Sequence, residues 1–175
     1  MHADWIELAK LFEERKVRFL VIGGMAVNFY GYERVTKDLD LWVARDRRNA
    51  RAVYAALKEW GAGLTGIAAK DFEEDNFFLF GREPWRIDIL ISPPGLDFED
   101  AWPNRVEHRY EGGTPFYFVS TSDLLTLKKA SGRAIDRIDA KAITRIMKKA
   151  LEREKRAGTQ PVKKAASRKS VKNKP

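Results

Sequence analysis

Aspartate is disfavoured inside β-strands, yet this chain sets it into two of its most strand-like segments, Asp38-Leu-Asp-Leu-Trp-Val43 and Arg86-Ile-Asp-Ile-Leu-Ile91. Side chains on a strand alternate between faces. In the first segment Leu39, Leu41 and Val43 therefore share one face, and Asp38, Asp40 and Trp42 share the other. Asp38 and Asp40 point the same way with Cα atoms about 6.5–7 Å apart. In the second segment the isoleucines take one face and leave Arg86, Asp88 and Leu90 on the other. Two carboxylates side by side repel each other unless a cation or water relieves them. If the two strands are neighbours, Asp38, Asp40 and Asp88 converge as three hard oxygen donors, a set suited to Mg²⁺ or Mn²⁺.

The remaining pattern supplies a frame for these strands. Residues 3–16 carry apolar side chains at helical spacing. Residues 18–22 form a short apolar run that stops at a tight turn, Gly23-Gly24, with a short helix predicted from Met25 to Tyr30. A helix is expected over 46–60, ended by Gly61. Strands are expected over 76–80 and 86–91, joined by a turn at Gly81-Arg-Glu-Pro84, and two short strands flank Gly112-Gly113. A helix capped by Thr121 or Ser122 follows, interrupted by Gly132, and a last helix runs from Ala134 to about residue 153. The expected fold is α/β (α+β): a mixed sheet with helices on one side and a C-terminal helical pair.

Charge divides the chain in two. Residues 153–175 hold nine Lys or Arg against Glu154, so of 33 basic and 25 acidic side chains 24 of each remain in residues 1–152. The expected domain is therefore residues 1–152, followed by a basic tail, 153–175, too poor in apolar residues to pack. Such a tail serves as a solubilising end or as a nonspecific contact to RNA or another polyanion. With no cysteine there are no disulfides and no thiolate zinc sites. His2 and His108 alone give no basis for an imidazole metal site or a Ser-His-Asp triad, and His108 reads as an ordinary strand or loop residue. The longest apolar stretch, Phe19 to Val27, falls short of the ~20 residues that span a bilayer. The N-terminus has no basic-then-apolar signal pattern, so a cytoplasmic protein is expected.

Gly23-Gly24 ends an apolar strand, with thirteen residues between it and Asp38-Leu-Asp40-Leu, and Asp88 lies in a later apolar strand. This arrangement resembles the signature of the nucleotidyltransferase superfamily, in which two small residues precede a paired-carboxylate strand and a third carboxylate follows. The run from Gly31 to Val43, with Arg34 and Thr36, is closest to the small branch that resembles AbiE-type toxins and minimal nucleotidyltransferases. The later Ser122-Asp-Leu-Leu-Thr-Leu-Lys128 and Arg133, Asp136 and Asp139 are similar to that branch's downstream helical motif.

The resemblance covers roughly residues 16–150. It implies that Asp38, Asp40 and Asp88 bind metal, with Asp88 as base for the acceptor hydroxyl. It also implies that Gly23 and Gly24 line the nucleotide phosphates, that Arg34 and Thr36 orient the loop or contact nucleotide, and that Lys128 approaches the triphosphate. Lys128 reads equally as a solvated helix lysine, and Arg133, Asp136 and Asp139 as a structural ion-pair network. The implied partners are a nucleoside triphosphate, an acceptor such as RNA (a tRNA 3′ end), a protein or a small molecule, and a cognate antitoxin. The competing expectation is a non-catalytic binding partner on the same fold, which would have lost carboxylates that this chain keeps. A dinucleotide-binding reading fails because Met-Ala-Val-Asn follows Gly24, so G-x-G-x-x-G is not satisfied.

Overall fold

The two aspartate-bearing segments lie side by side at the centre of a mixed sheet. The computed structural model describes residues 1–82 and 85–158. Glu83 and Pro84 of the expected turn, and residues 159–175 of the expected tail, lie outside the described residues. The strands are β1 (Phe19–Val21), β2 (Asp38–Val43), β3 (Phe77–Phe80), β4 (Arg86–Leu90), β5 (Val106–Arg109) and β6 (Pro115–Phe118). They form one six-stranded sheet in the order β3-β4-β2-β1-β6-β5. β2 pairs parallel with β4 and antiparallel with β1, β1 pairs parallel with β6, and β3 and β5 close the edges antiparallel.

Helices α1 (Ala3–Glu14) and α3 (Arg47–Trp60) cover the apolar face of the sheet. Phe12 of α1 meets Phe19 of β1 edge-on, and Phe19, Leu41 and Val43 are buried there with Val53 and Leu57 of α3. The opposite face is closed at one end by aromatic rings. Trp42 meets Phe98 of α4 (Phe98–Ala101), and Phe98 stacks on Trp102, which touches Tyr117. Trp42 also donates its indole N–H to the Ile91 carbonyl at 2.9 Å, satisfying the polar edge of a buried ring. The other end of that face, where Asp38, Asp40 and Asp88 project, is bordered by the C-terminal helices α5 (Thr121–Ser131) and α6 (Ala134–Gly158).

The sheet and the C-terminal helical pair follow the sequence expectation; several boundaries move. Helix α2 (Gly23–Phe29) opens on the glycines themselves and not at Met25. α5 is capped by Ser120, whose hydroxyl accepts from the Asp123 N–H at 3.2 Å, and not by Thr121 or Ser122. α6 continues through residues 153–158, so the first part of the expected tail is helical. Before the closing Gly158 its residues there are Lys, Arg, Glu and Ala, good helix formers that an apolar pattern does not register.

Buried Asn49 ties the start of β1 to the end of β2. Its side chain accepts from the Arg18 N–H at 2.7 Å and donates to the Arg18 and Ala44 carbonyls at 3.1 and 2.7 Å. The Arg18 carbonyl also receives the Ala44 N–H, so truncating Asn49 leaves the Arg18 N–H and the Ala44 carbonyl without their bonds from Asn49. Asn49→Ala is expected to cost about 2–3 kcal/mol in urea unfolding, and a loss under about 0.5 kcal/mol would show that water replaces the side chain.

Candidate active site

The register of the central strands builds the site. Asp40 is the partner of Asp88 across β2 and β4, and Asp38 is the partner of Arg86. All four side chains leave the same face because each pair is in register and each strand alternates. Asp88 is buried, and Asp38 and Asp40 are partly so. The Arg86 guanidinium spans two of the acids: Nε meets Asp88 Oδ1 at 2.6 Å, and Nη2 meets Asp88 Oδ2 at 2.9 Å and Asp38 Oδ2 at 3.0 Å. The sequence placed Arg86 on this face but gave it no role. Its spacing of two from Asp88 was the available signal.

Asp40 has a different environment. It accepts the Gly24 backbone N–H at the start of α2, and the helix backbone passes so close that a Cβ on Gly23 would collide with its carboxylate. Gly23 also has φ +63°, a conformation that L side chains adopt only with strain. Gly24 is constrained from the other side, where a Cβ would lie 2.5 Å from Thr36 Oγ1 and 2.9 Å from Arg34 Nη2. Each glycine is thus required by contact. Burial first, and then the negative charge of Asp88, push the Asp40 carboxyl up to about 6, against the opposing pull of Lys128 and the Gly24 N–H.

Lys128 lies on α5, buried, with its ammonium 2.7 Å from Asp136 and 2.9 Å from Asp139, both fully buried on α6. Asp136 also accepts from Arg133 and Ser131. Burial alone would raise the Asp136 carboxyl, but the hydrogen bonds from Arg133, Lys128 and Ser131 outweigh it and hold it at about 2. Asp139 pairs with Arg34 Nε at 3.0 Å and Nη2 at 3.1 Å. Arg133, Asp136 and Asp139 therefore form an ion-pair network joining α5, α6 and the loop before β2. Lys128 is part of it and not a solvated helix lysine.

Asp40, Asp88, Gly23, Lys128, Arg133 and Asp136 line one cleft of about 240 Å³, whose remaining walls include Phe77, Leu90, Leu124 and Leu127. Arg34 and Thr36 are not brought into it. They sit behind Gly24 and line a separate cavity of about 460 Å³ with Asn28 and Trp85. A larger cavity of about 810 Å³ lies beyond Trp42, but Asp46, Glu73, Asp97, Glu99 and Asp100 on its walls would repel a triphosphate.

The donor chemistry suits a hard divalent cation at the Asp40–Asp88 pair: two carboxylates face each other, and one is driven toward its protonated form by burial and by the charge of the other. Among the described residues no three His, Cys, Asp or Glu side chains form a ready-made metal cluster. The three aspartates share a face as expected, with Arg86 spanning two of them.

A mixed sheet carrying paired carboxylates beside a glycine-opened helix defines a nucleotidyltransferase. The chain belongs to the family described as "Nucleotidyl transferase of unknown function (DUF2204)", whose model matches residues 1–171. Among solved structures it is similar to the lincosamide antibiotic adenylyltransferase LnuA, bound to lincomycin, with a TM-score of 0.55 and 18% identity over 83% of this chain and 98% of that one. That likeness establishes a shared fold. No curated protein is significantly similar in sequence. No described helix is long and apolar enough to cross a membrane.

Two measurements follow. Because the folded carboxyl of Asp40 lies above the ordinary 3.8, the folded state holds a proton that the unfolded state has lost between those values. Stability from this group is therefore present at low pH and lost as pH rises through about 6. In metal-free buffer Asp40→Asn should melt roughly 3–6 °C above the wild type at pH 8 and close to it at pH 4, with about half of the difference already present at pH 5; equal differences at pH 8 and pH 4 would contradict the assignment. Lys128→Met, which keeps volume but removes the charge between Asp136 and Asp139, should lose about 3–5 kcal/mol in chemical denaturation. A loss below about 1 kcal/mol would mean that Arg34 and Arg133 suffice for both acids.

Proposed function

We propose that this protein moves a nucleoside monophosphate from a nucleoside triphosphate to a hydroxyl acceptor, using Mg²⁺ or Mn²⁺ held by Asp40 and Asp88 with Asp38. The observation that carries this reading is the in-register pairing of Asp40 with Asp88 directly against the Gly23 backbone. A divalent ion there would supply charge neutralisation and polarisation at the reacting phosphate.

The protein's own groups supply the rest. Gly23 and Gly24 leave the main chain bare, and a phosphate oxygen would reach the Gly24 N–H by displacing Asp40 from it. In the transfer, the acceptor oxygen bonds to the α-phosphorus, the bond from that phosphorus to the bridging oxygen breaks, and pyrophosphate leaves with the electron pair. Lys128, on the cleft wall, would turn from Asp136 and Asp139 to meet the charge of the leaving group. The acceptor proton passes to a carboxylate. By the family resemblance that carboxylate is Asp88, both of whose oxygens accept from Arg86 until the cation displaces it. Arg34 and Thr36 support the reading from behind Gly24, where they fix the loop.

The acceptor belongs to one of three classes: an RNA 3′ end such as that of a tRNA, a protein side chain, or a small molecule. The nine basic residues of 153–175 favour RNA by charge. Work in the cytoplasm as the toxin of a toxin–antitoxin pair, or in phage defence, fits the AbiE-like run around Asp38.

The test is to incubate the full chain with each α-labelled triphosphate, Mg²⁺ and separated pools of RNA, protein and small molecules. Label should enter one pool with release of pyrophosphate, and the Asp38→Asn/Asp40→Asn double variant should lose at least about 10³-fold in rate. Label uptake undiminished in that variant would end the proposal.

A further inference from the structure

The site contains a cation that the reaction above does not use. Arg86 opens β4, two residues before Asp88 on the same face, and is the register partner of Asp38 on β2. Its partly buried side chain makes two hydrogen bonds to Asp88 and one to Asp38, at 2.6, 2.9 and 3.0 Å. The fork of a guanidinium matches the two oxygens of a carboxylate, and its charge persists at every working pH. Among the described residues Asp40 has no such fork against it: it is drawn by Lys128 and the Gly24 N–H and opposed by Asp88, its partner across the strands.

We propose that Arg86 is a positioning residue that competes with the divalent cation for Asp38 and Asp88, so that the cation loads together with nucleotide and not before it. This inference rests on the reading that these aspartates hold a divalent ion. A cation entering at Asp40 and Asp88 must take at least one Asp88 oxygen from Arg86, and the lost charge-assisted hydrogen bonds count against its binding. A triphosphate changes that balance. It brings negative oxygens that act as cation ligands and as acceptors for the displaced guanidinium, so the partners lost by Arg86 are replaced. Meanwhile Arg86 keeps Asp38 and Asp88 at a fixed spacing across two strands.

Free Mn²⁺ measured by electron paramagnetic resonance, on the full chain, reads this competition without turnover. Titrations are run with and without a triphosphate analogue whose α,β-bridging oxygen is replaced by methylene. Wild type should bind Mn²⁺ weakly alone and about tenfold or more tightly with the analogue. Arg86→Gln should bind Mn²⁺ about tenfold more tightly than wild type in the absence of analogue, and the gain from adding the analogue should shrink. Arg86→Lys, a point charge that cannot span both acids, should fall between them.

Unchanged or weaker Mn²⁺ affinity in Arg86→Gln would overturn the proposal. If that variant lacks a cooperative melt, Arg86→Lys decides: tightening by about threefold supports competition, and none refutes it. A wild type that transfers label normally while the variants bind Mn²⁺ unchanged removes this inference alone. A wild type that neither binds Mn²⁺ with the analogue nor transfers label removes the proposed function as well.

Discussion

The parallel pairing of β2 with β4 in one register governs everything else. A slip of one residue would send Asp88 to the face opposite Asp40 and leave no site. What prevents the slip is on the other side of the sheet, where Leu39 pairs with Ile87 and Leu41 with Ile89, all buried. Each of those side chains contributes about 1.5–3 kcal/mol by leaving water. The opposing penalty, bringing Asp40 beside Asp88, is at most about 3 kcal/mol, judged from the distance between 3.8 and about 6. The apolar face wins. Burial and that repulsion together persist in the folded protein as the raised proton affinity of Asp40.

A second constraint joins the last two helices to the glycine turn. Asp136 and Asp139 are fully buried, which a carboxylate tolerates only when paired and hydrogen-bonded. Lys128 lies between them, Arg133 closes one end, and Arg34 closes the other. Arg34 is itself held by Asn28, which accepts from its N–H and donates to its carbonyl at 3.0 and 2.9 Å. Since a side chain on Gly24 would strike Arg34 and Thr36, the network reaches from α6 to the start of α2 through packed atoms. The helices at the C-terminal end thereby hold a loop that the sequence places about one hundred residues earlier.

Strand signals were legible because alternation is local: Asp38 to Val43 and Arg86 to Leu90 state their own faces. The carboxylate set and the glycine pair could be read for the same reason. Other features depended on distant partners. Arg86 looked like one more polar residue, because its bond to Asp38 exists only once β2 and β4 are neighbours. The burial of Lys128 depends on two acids of the next helix, so its helical position alone left open whether it was solvated. Arg34 and Thr36 were read as orienting the loop or contacting nucleotide, because they lie between the glycines and Asp38. The fold carries that loop behind Gly24, away from the cleft that holds Lys128. The start of α2 was misplaced because glycine has low helix propensity, whereas here the approach of Asp40 leaves room for nothing larger at Gly23.

These contacts also bear on how the site would meet a substrate. Asp40 accepts the Gly24 N–H, a donor of the type that phosphate oxygens seek at a helix start. Asp38 and Asp88 hold Arg86, and Lys128 holds Asp136 and Asp139. Each charge that a metal–nucleotide complex would use is already engaged within the protein. Binding such a complex is then an exchange of partners and not an addition, and its net free energy is the difference between two sets of strong interactions. An exchange of that kind penalises a ligand that satisfies only some of the groups, because the remainder are left desolvated without their old partners. In the proposed reaction, selection for an intact triphosphate with its cation, over either alone, would follow from the same contacts that hold the strands and helices of the site together.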